Sequence, residues 1–298
     1  MPRLGAHLSA AGGVSRAATA AADLGCEALQ VFLRAPGRWA ATALPAAESA
    51  RFRSAVSGSA LEGACFAHAP YLLNLASADD GLRTRSIAVL VHELKRADRL
   101  GLAGVVLHPG SAGAGRRSEA EARCRAAIAE AVERAATRTT MLLVEGTAGA
   151  GGQLGRTPRE LARLVEAGLR RADRRASGRP PGPHRARPVG VCLDTAHLWG
   201  AGFDLRKDGW ERVLAELAQH WGDEVPHLLH GNDTNVDLGS HRDRHAPPGD
   251  GKLGEPFFRR LLADERCASL PLVLEIPPGA GNTLVRAALE RLRAWSGG

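Results

Sequence analysis

Short apolar runs alternate along the chain with longer stretches of helical periodicity. The apolar runs are Leu4–Ala6, Ala28–Phe32, Ala64–Ala67, Gly104–Leu107, Met141–Val144, Val189–Leu193, His227–Leu229 and Pro271–Leu274. Helix-like patterns lie between them, at Arg83–Leu100, Ser118–Ala136, Pro158–Leu169, Trp210–His220 and Pro256–Ala263. Strands alternating with helices predict βαβ units and a parallel sheet. Eight runs at even spacing favour a closed (β/α)8 TIM barrel, with a doubly wound open sheet as the alternative. Helix starts agree with this reading. Ser118 precedes two glutamates, as an N-cap would, and Thr157-Pro158-Arg159-Glu160 reads as a capping box with proline at the first helical position.

One segment breaks the rhythm. Arg170–Pro188 is basic, with proline and glycine concentrated at its centre, and is too polar to join a core. It reads as an insertion before the sixth strand. A loop entering a barrel strand lies on the face opposite the active site, so a solvated linker is favoured over a DNA-contacting arm. The whole of residues 1–298 is expected to form a single TIM-barrel catalytic domain.

Composition narrows the class. The chain has 298 residues, 44% hydrophobic and 24% charged, ordinary values for a globular protein. No apolar stretch is long enough to span a bilayer, and the first residues lack the apolar core of a secretion signal, so a cytoplasmic enzyme is expected. The five cysteines are scattered and form no Cys-x-x-Cys pair, which argues against a disulfide framework and a thiolate zinc site. A net charge of +7, carried almost wholly by arginine, suits a polyanionic partner, although an arginine-rich composition alone has the same effect.

Candidate chemistry falls at the strand ends. His68, His108, Glu145, Asp194 and Glu275 each follow an apolar run, and His230 follows another. One polar residue after a strand is usually a solvated end. Five strands ending in His, His, Glu, Asp and Glu, with no lysine or arginine among them, point to a site that holds cations. Asp194 and His197, three apart, share a face if a helical turn begins there. Asp243 and His245, two apart, point the same way in extended backbone. Imidazole and carboxylate in this mixture suit zinc, and nine such groups exceed the needs of one ion. His227 competes with His230, and the strand-end position favours His230. His7, His92, His184, His220 and His241 take a structural reading, with His7 and His241 placed in mouth loops.

The residues also resemble a known family, endonuclease IV, the zinc-dependent apurinic/apyrimidinic endonucleases on a xylose-isomerase-like barrel. The similarity runs nearly end to end. Its motifs are Gly5-Ala6-His7-Leu8-Ser9-Ala10-Ala11-Gly12-Gly13, His68-Ala69-Pro70-Tyr71-Leu72-Leu73-Asn74-Leu75-Ala76 and Leu107-His108-Pro109-Gly110-Ser111. They continue with Glu145-Gly146-Thr147-Ala148-Gly149, Cys192-Leu193-Asp194-Thr195-Ala196-His197, His230-Gly231-Asn232-Asp233, Asp243-Arg244-His245 and Leu274-Glu275.

The resemblance implies three zinc ions per chain. The first takes His68, His108 and a bridging Glu145; the second Glu145, Asp194, His230 and Glu275; the third His197, Asp243 and His245. It implies Glu145 and Glu275 as catalytic carboxylates and a metal-bridging hydroxide as nucleophile. The implied reaction is hydrolysis of the phosphodiester 5′ to an abasic site in double-stranded DNA, leaving a 3′-hydroxyl and a 5′-deoxyribose phosphate, by a monomeric cytoplasmic enzyme. A lesion without a base costs less to extrude than a paired nucleotide, and wedges hold the gap open. Tyr71 and Leu72 occupy the loop where the family makes such DNA contacts, and Arg38 is the candidate contact from the second mouth loop; core packing is the competing reading of Tyr71. The chain departs from the family at Gly37, where an inserting arginine is usual and Arg38 is displaced by one. It departs again at Ala69, Gly146 and Ala246, where polar residues usually flank the metal ligands. Two other readings are a metal-dependent sugar isomerase or epimerase on a related barrel, and a DNA-binding remnant with low turnover.

Overall fold

The computed structural model describes residues 1–41, 43–176, 188–221 and 226–297. Eight strands close in sequence order into a parallel barrel. They are β1 (Arg3–His7), β2 (Ala28–Phe32), β3 (Cys65–His68), β4 (Gly104–Leu107), β5 (Met141–Glu145), β6 (Val189–Asp194), β7 (Leu228–His230) and β8 (Pro271–Leu274). All eight predicted runs form strands, and β8 pairs with β1 in parallel, so the open-sheet alternative falls. At β1 and β2 the chains approach so closely that a Cβ on Gly5 would lie 1.9 Å from the Ala28 carbonyl oxygen; only glycine fits there.

Nine α-helices are described: α1 (Val14–Asp23), α2 (Ala46–Val56), α3 (Asp80–Leu100), α4 (Arg117–Ala135), α5 (Pro158–Ala176), α6 (Thr195–Ala201), α7 (Gly209–Trp221), α8 (Gly254–Ala263) and α9 (Thr283–Ser296). Helix α5 starts as expected. Thr157 Oγ1 accepts from the Glu160 amide at 3.2 Å, while Glu160 reaches back to the amides of Gly155 and Arg156. It ends seven residues later than predicted. Arg170-Arg171-Ala172-Asp173-Arg174-Arg175-Ala176 contains strong helix formers, and the Pro/Gly cluster begins only beyond it. The rest of the expected insertion, residues 177–187, lies outside the described residues. Ser118 is not the cap of α4; the helix already begins at Arg117, with no side-chain cap.

Two cores result. A large one fills the space between strands and helices, with Phe52, Trp199, Phe257 and Phe258 among its largest side chains. A smaller one fills the barrel interior and consists of Ala28, Ala64, Phe66, Val106, Leu143, Cys192, Leu228 and Val273. The interior set positions the site. In a strand, residues two apart face the same side. Two residues beyond Ala28, Phe66, Val106, Leu143, Cys192, Leu228 and Val273 stand Gln30, His68, His108, Glu145, Asp194, His230 and Glu275. His7 holds the matching place beyond Gly5 on β1. The barrel thus ends in a polar ring of eight residues, one per strand, directly above its apolar floor.

Candidate metal centre at the barrel mouth

Glu145 lies at the centre of the ring and is fully buried. Its two oxygens serve different neighbours. Oε2 is 3.2 Å from His68 Nε2 and 2.8 Å from His108 Nε2. Oε1 is 2.9 Å from His230 Nδ1, which is also 3.0 Å from Glu275 Oε2. Asp194 joins this second group, its Oδ2 3.9 Å from His230 Nδ1. A third group hangs on loops beside the ring. Asp243 places Oδ2 and Oδ1 3.2 Å each from the Nε2 atoms of His197 and His245. Within His68–His108–Glu145, Glu145–Asp194–His230–Glu275 and Asp194–His197–His245, the potential ligand atoms all lie within 4.8 Å of one another.

These distances suit bound cations. Ligands about 2.0–2.1 Å from a tetrahedral zinc lie about 3.3 Å from each other. The imidazoles are also pre-set. His68, His197 and His245 place Nδ1 at 2.7, 2.8 and 3.0 Å from the carbonyl oxygens of Ala69, Gly146 and Glu275. Donation of Nδ1–H to those carbonyls leaves each Nε2 lone pair facing the site, the usual arrangement behind a metal-binding histidine. The Nε2 atoms of His197 and His245 are buried, and the Asp243 carboxylate at 3.2 Å faces them without forming a well-aligned hydrogen bond. A buried nitrogen without a well-formed hydrogen bond is costly, and a cation held between it and the carboxylate removes that cost.

Charge reinforces the picture. Burial alone would raise the Glu145 carboxyl, but His108 and His230 overcome it and hold it well below the carboxylate range. Burial opposes charge on Glu275 too, and His230 again prevails. In return, although burial favours neutral rings, Asp194 and Asp243 raise His197 well above its ordinary value and His245 to about 9. Burial lowers His7, which faces Glu275 Oε1 at 3.6 Å.

The loop residues of the third group are held by anchors of their own. Asp194 caps α6, its Oδ1 accepting from the His197 amide at 2.8 Å, so the expected helical turn carries both residues to one place. Asn232 donates to Asp194 Oδ2 and accepts from the Glu275 amide. Asp233 accepts from the backbone amides of Thr234, Gly249, Gly251, Leu253 and Gly254, and pairs with Ala246 through the main chain. That clamp delivers Asp243 and His245 to the mouth.

All nine residues expected to bind metal therefore meet. Three departures from the family pattern prove to sit where the contact is made by main chain: Ala69 and Gly146 offer carbonyls, and Ala246 offers a backbone bridge. Tyr71 is not packed in the core. It is 59% exposed, and its ring stands over Phe32, His68 and His108 at centroid distances of 5.4, 5.2 and 5.8 Å. With the half-buried Leu72 it borders a cleft of about 480 Å³ that includes His108, Ser111, Gln153 and Asp243. Asn74 ties this loop to the next, its amide pairing with both backbone groups of Ser111. Arg38 lies apart, exposed on a turn whose base is fixed by Arg34 donating to the Trp39 carbonyl. His227 faces the Val191 amide outside the ring, as its structural reading requires.

Sequence reasoning missed two members of the ring. His7 ends β1 and is not in a loop. Gln30 is fully buried, with Nε2 2.5 Å from Glu275 Oε1 and Oε1 3.0 Å from His230 Nε2. The signal was available: Gln30 is a polar residue inside an apolar run, two places after Ala28.

Residues 18–295 match the family described as xylose isomerase-like TIM barrel. The chain is 40% identical to a probable endonuclease 4 of Nitratidesulfovibrio vulgaris, over 100% of both chains. The crystal structure of endonuclease IV from Thermus thermophilus superposes with a TM-score of 0.81 at 36% identity, covering 99% of this chain and 98% of that one. A D-tagatose 3-epimerase-like protein reaches a TM-score of 0.67 at 17% identity, over 98% of both chains, a likeness of fold alone. With sequence similarity running the full length and the same barrel beneath it, the chain belongs to the endonuclease IV family.

Proposed function

We propose that this protein is a zinc-dependent endonuclease that hydrolyses the phosphodiester 5′ to abasic sites in double-stranded DNA, with three zinc ions per chain. The observation that carries the reading is Glu145, whose two oxygens each serve a different set of imidazoles while a third set lies alongside. His68, His108 and Glu145 would hold one ion; Glu145, Asp194, His230 and Glu275 a second; His197, Asp243 and His245 the third. Bound there, the ions would lower the pKa of water and offset the charge of the scissile phosphate.

The chain's own residues do the rest. Glu145 and Glu275 hold the reacting centre, each oxygen set against the imidazoles around it. The exposed Arg242 and Arg244 flank Asp243 and draw the phosphodiester backbone towards the mouth. Tyr71 and Leu72, standing beside the cleft, fill the gap left by the missing base, and the exposed Arg38 reaches the same DNA from the β2 loop. Water adds to phosphorus, the bond to the 3′-oxygen breaks, and that oxygen takes a proton. A 3′-hydroxyl and a 5′-deoxyribose phosphate result. The enzyme works as a cytoplasmic monomer. Among the described residues no helix is long and apolar enough to cross a membrane.

A sugar epimerase does not need the Asp243–His245 arm, so that arm favours the nuclease. The test is metal content measured together with incision of a defined abasic oligonucleotide. About three zinc ions per chain, and nicking that stops on chelation and returns with zinc, are expected. A fully loaded chain that leaves abasic DNA intact, or carries one or two divalent ions and epimerises a ketose, would overturn the proposal.

A further inference from the structure

Six of the eight ring residues are assigned above to metal ions. The other two, His7 and Gln30, have no place in that assignment. Gln30 carries the stronger argument. Its amide is fully buried, yet each polar atom has a partner. Oε1 lies 3.0 Å from His230 Nε2. Nε2 lies 2.5 Å from Glu275 Oε1 and 3.0 Å from His7 Nδ1. These partners fix the orientation of the amide. The Glu275 carboxylate can only accept, so Nε2 must face it, and Oε1 is left for His230.

His230 is where this matters. The rings of His68, His197 and His245 are set by main-chain carbonyls at Nδ1 and turn Nε2 inward. His230 is reversed. Its Nδ1 meets Glu145 and Glu275, and its Nε2 meets the side chain of Gln30. A ring that offers Nδ1 to a cation must carry its proton on Nε2, and that proton needs a buried acceptor. Glu275 has the matching requirement. One oxygen is pinned by Gln30, which leaves Oε2 facing His230 Nδ1.

We propose that Gln30 is a positioning residue of the metal centre: its amide oxygen selects the His230 tautomer that turns Nδ1 inward, and its amide nitrogen holds Glu275 so that Oε2 faces the same point. The inference rests on the metal-centre reading above. A sequence need not place a ligand on every strand; one strand here supplies the part that orients two ligands from others. The competing role is a structural plug that only fills the top of the barrel.

The test uses the full zinc-loaded chain and Gln30→Met, which keeps the volume and removes the amide. Zinc per chain and the rate at which a chromogenic chelator strips each ion are read, with the melting temperature of the metal-free chain as control. One ion of three should leave about 10- to 100-fold faster, the scale of losing a group that orients a metal-binding side chain, and the other two should leave at wild-type rates. The His230 ring nitrogen shifts should also move, which a plug would not cause. Gln30→Glu keeps an acceptor for His230 but sets a charge against Glu275. It should retain the His230 shifts while still releasing that ion faster, and it carries the test if Gln30→Met fails to fold. Wild-type release rates in both variants, or equal acceleration of all three ions, would overturn the proposal. A wild-type chain that binds no zinc removes the metal reading and this one with it; a wild-type chain with three ions and a silent Gln30→Met sinks this one alone.

Discussion

The two halves of the barrel mouth are built on different principles. The strand half sets His68, His108, Glu145, Asp194, His230 and Glu275 directly above the interior core, two residues past an apolar floor residue on each strand. The loop half sets His197, Asp243 and His245 on segments that need a helix cap, an aspartate clamp and a backbone carbonyl to hold them. Glu145 is fully buried, whereas the Asp243 side chain is 40% exposed. The strand half inherits its rigidity from the barrel. The loop half has to be tied down, contact by contact, and is the part most easily changed without disturbing the fold.

That contrast predicts unequal losses. Glu145→Gln removes a charge from two ion sites at once. Incision should fall by about 10³-fold or more, with zinc depleted from both strand-borne sites, because several charge contacts to the transition state go together. Asp243→Asn should strip the third ion only, leaving two per chain, and lower incision by about 10²-fold. Zinc analysis and single-turnover incision check both. If Asp243→Asn also empties the strand sites, the two halves are one cooperative unit and do not hold their ions independently.

The same contrast explains how much could be read from the sequence. A polar strand end interrupts an apolar run, so His68, His108, Glu145, Asp194 and Glu275 are visible from pattern alone. His197, Asp243 and His245 have weak local signatures, and their assignment came through resemblance to a family. Gln30 shows the converse error. It obeys the same two-residue spacing as these residues, but as one polar residue inside Ala28–Phe32 it reads as part of the apolar run. His7 was placed in a loop because the predicted run stopped at Ala6, although β1 continues one residue further. Helix α5 outruns its prediction because the Pro/Gly-rich centre of Arg170–Pro188 is read back over the segment's first residues, where arginine and alanine are helix formers. The clamp at Asp233 was invisible for another reason: its partners are backbone amides up to 21 residues away.

Protons distinguish the halves next. In the metal-free chain the rings of His197 and His245 are raised, His245 to about 9, because neighbouring aspartates outweigh burial. Raised rings bind protons more tightly folded than unfolded. Their contribution to stability is therefore complete below about pH 6.5 and is lost as pH rises through the raised values, about 9 for His245. Zinc bound at the proposed loop site would have to displace those same protons. The metal-free chain should lose thermal stability from the His245 ring between about pH 6.5 and 9, while affinity at the proposed loop site rises by about tenfold per pH unit for each proton released. Titrations with zinc at about pH 6.5, 7.5 and 8.5, run alongside melting curves, check the opposed trends. A loop-site affinity indifferent to pH would mean that His197 and His245 are not ligands.

The smallest expected effect concerns DNA, and it extends the comparison from metal to substrate. Tyr71 is anchored: its ring rests on Phe32, His68 and His108, and Asn74 locks its loop to the Ser111 loop. Arg38 is exposed on a turn whose glycine neighbour, Gly37, has open space around it. A wedge works only if it is rigid before the DNA arrives, since ordering it on binding consumes affinity. Tyr71→Ala should therefore weaken binding of an abasic duplex by about tenfold, the scale of one exposed aromatic contact, and leave binding of the undamaged duplex unchanged. Arg38→Ala should instead weaken both duplexes alike and reduce the salt dependence of binding, as loss of one phosphate contact does. Competition binding at two salt concentrations separates the two patterns. Equal losses on both duplexes for Tyr71→Ala would make the tyrosine another general DNA contact and leave recognition of the lesion to the metal centre alone.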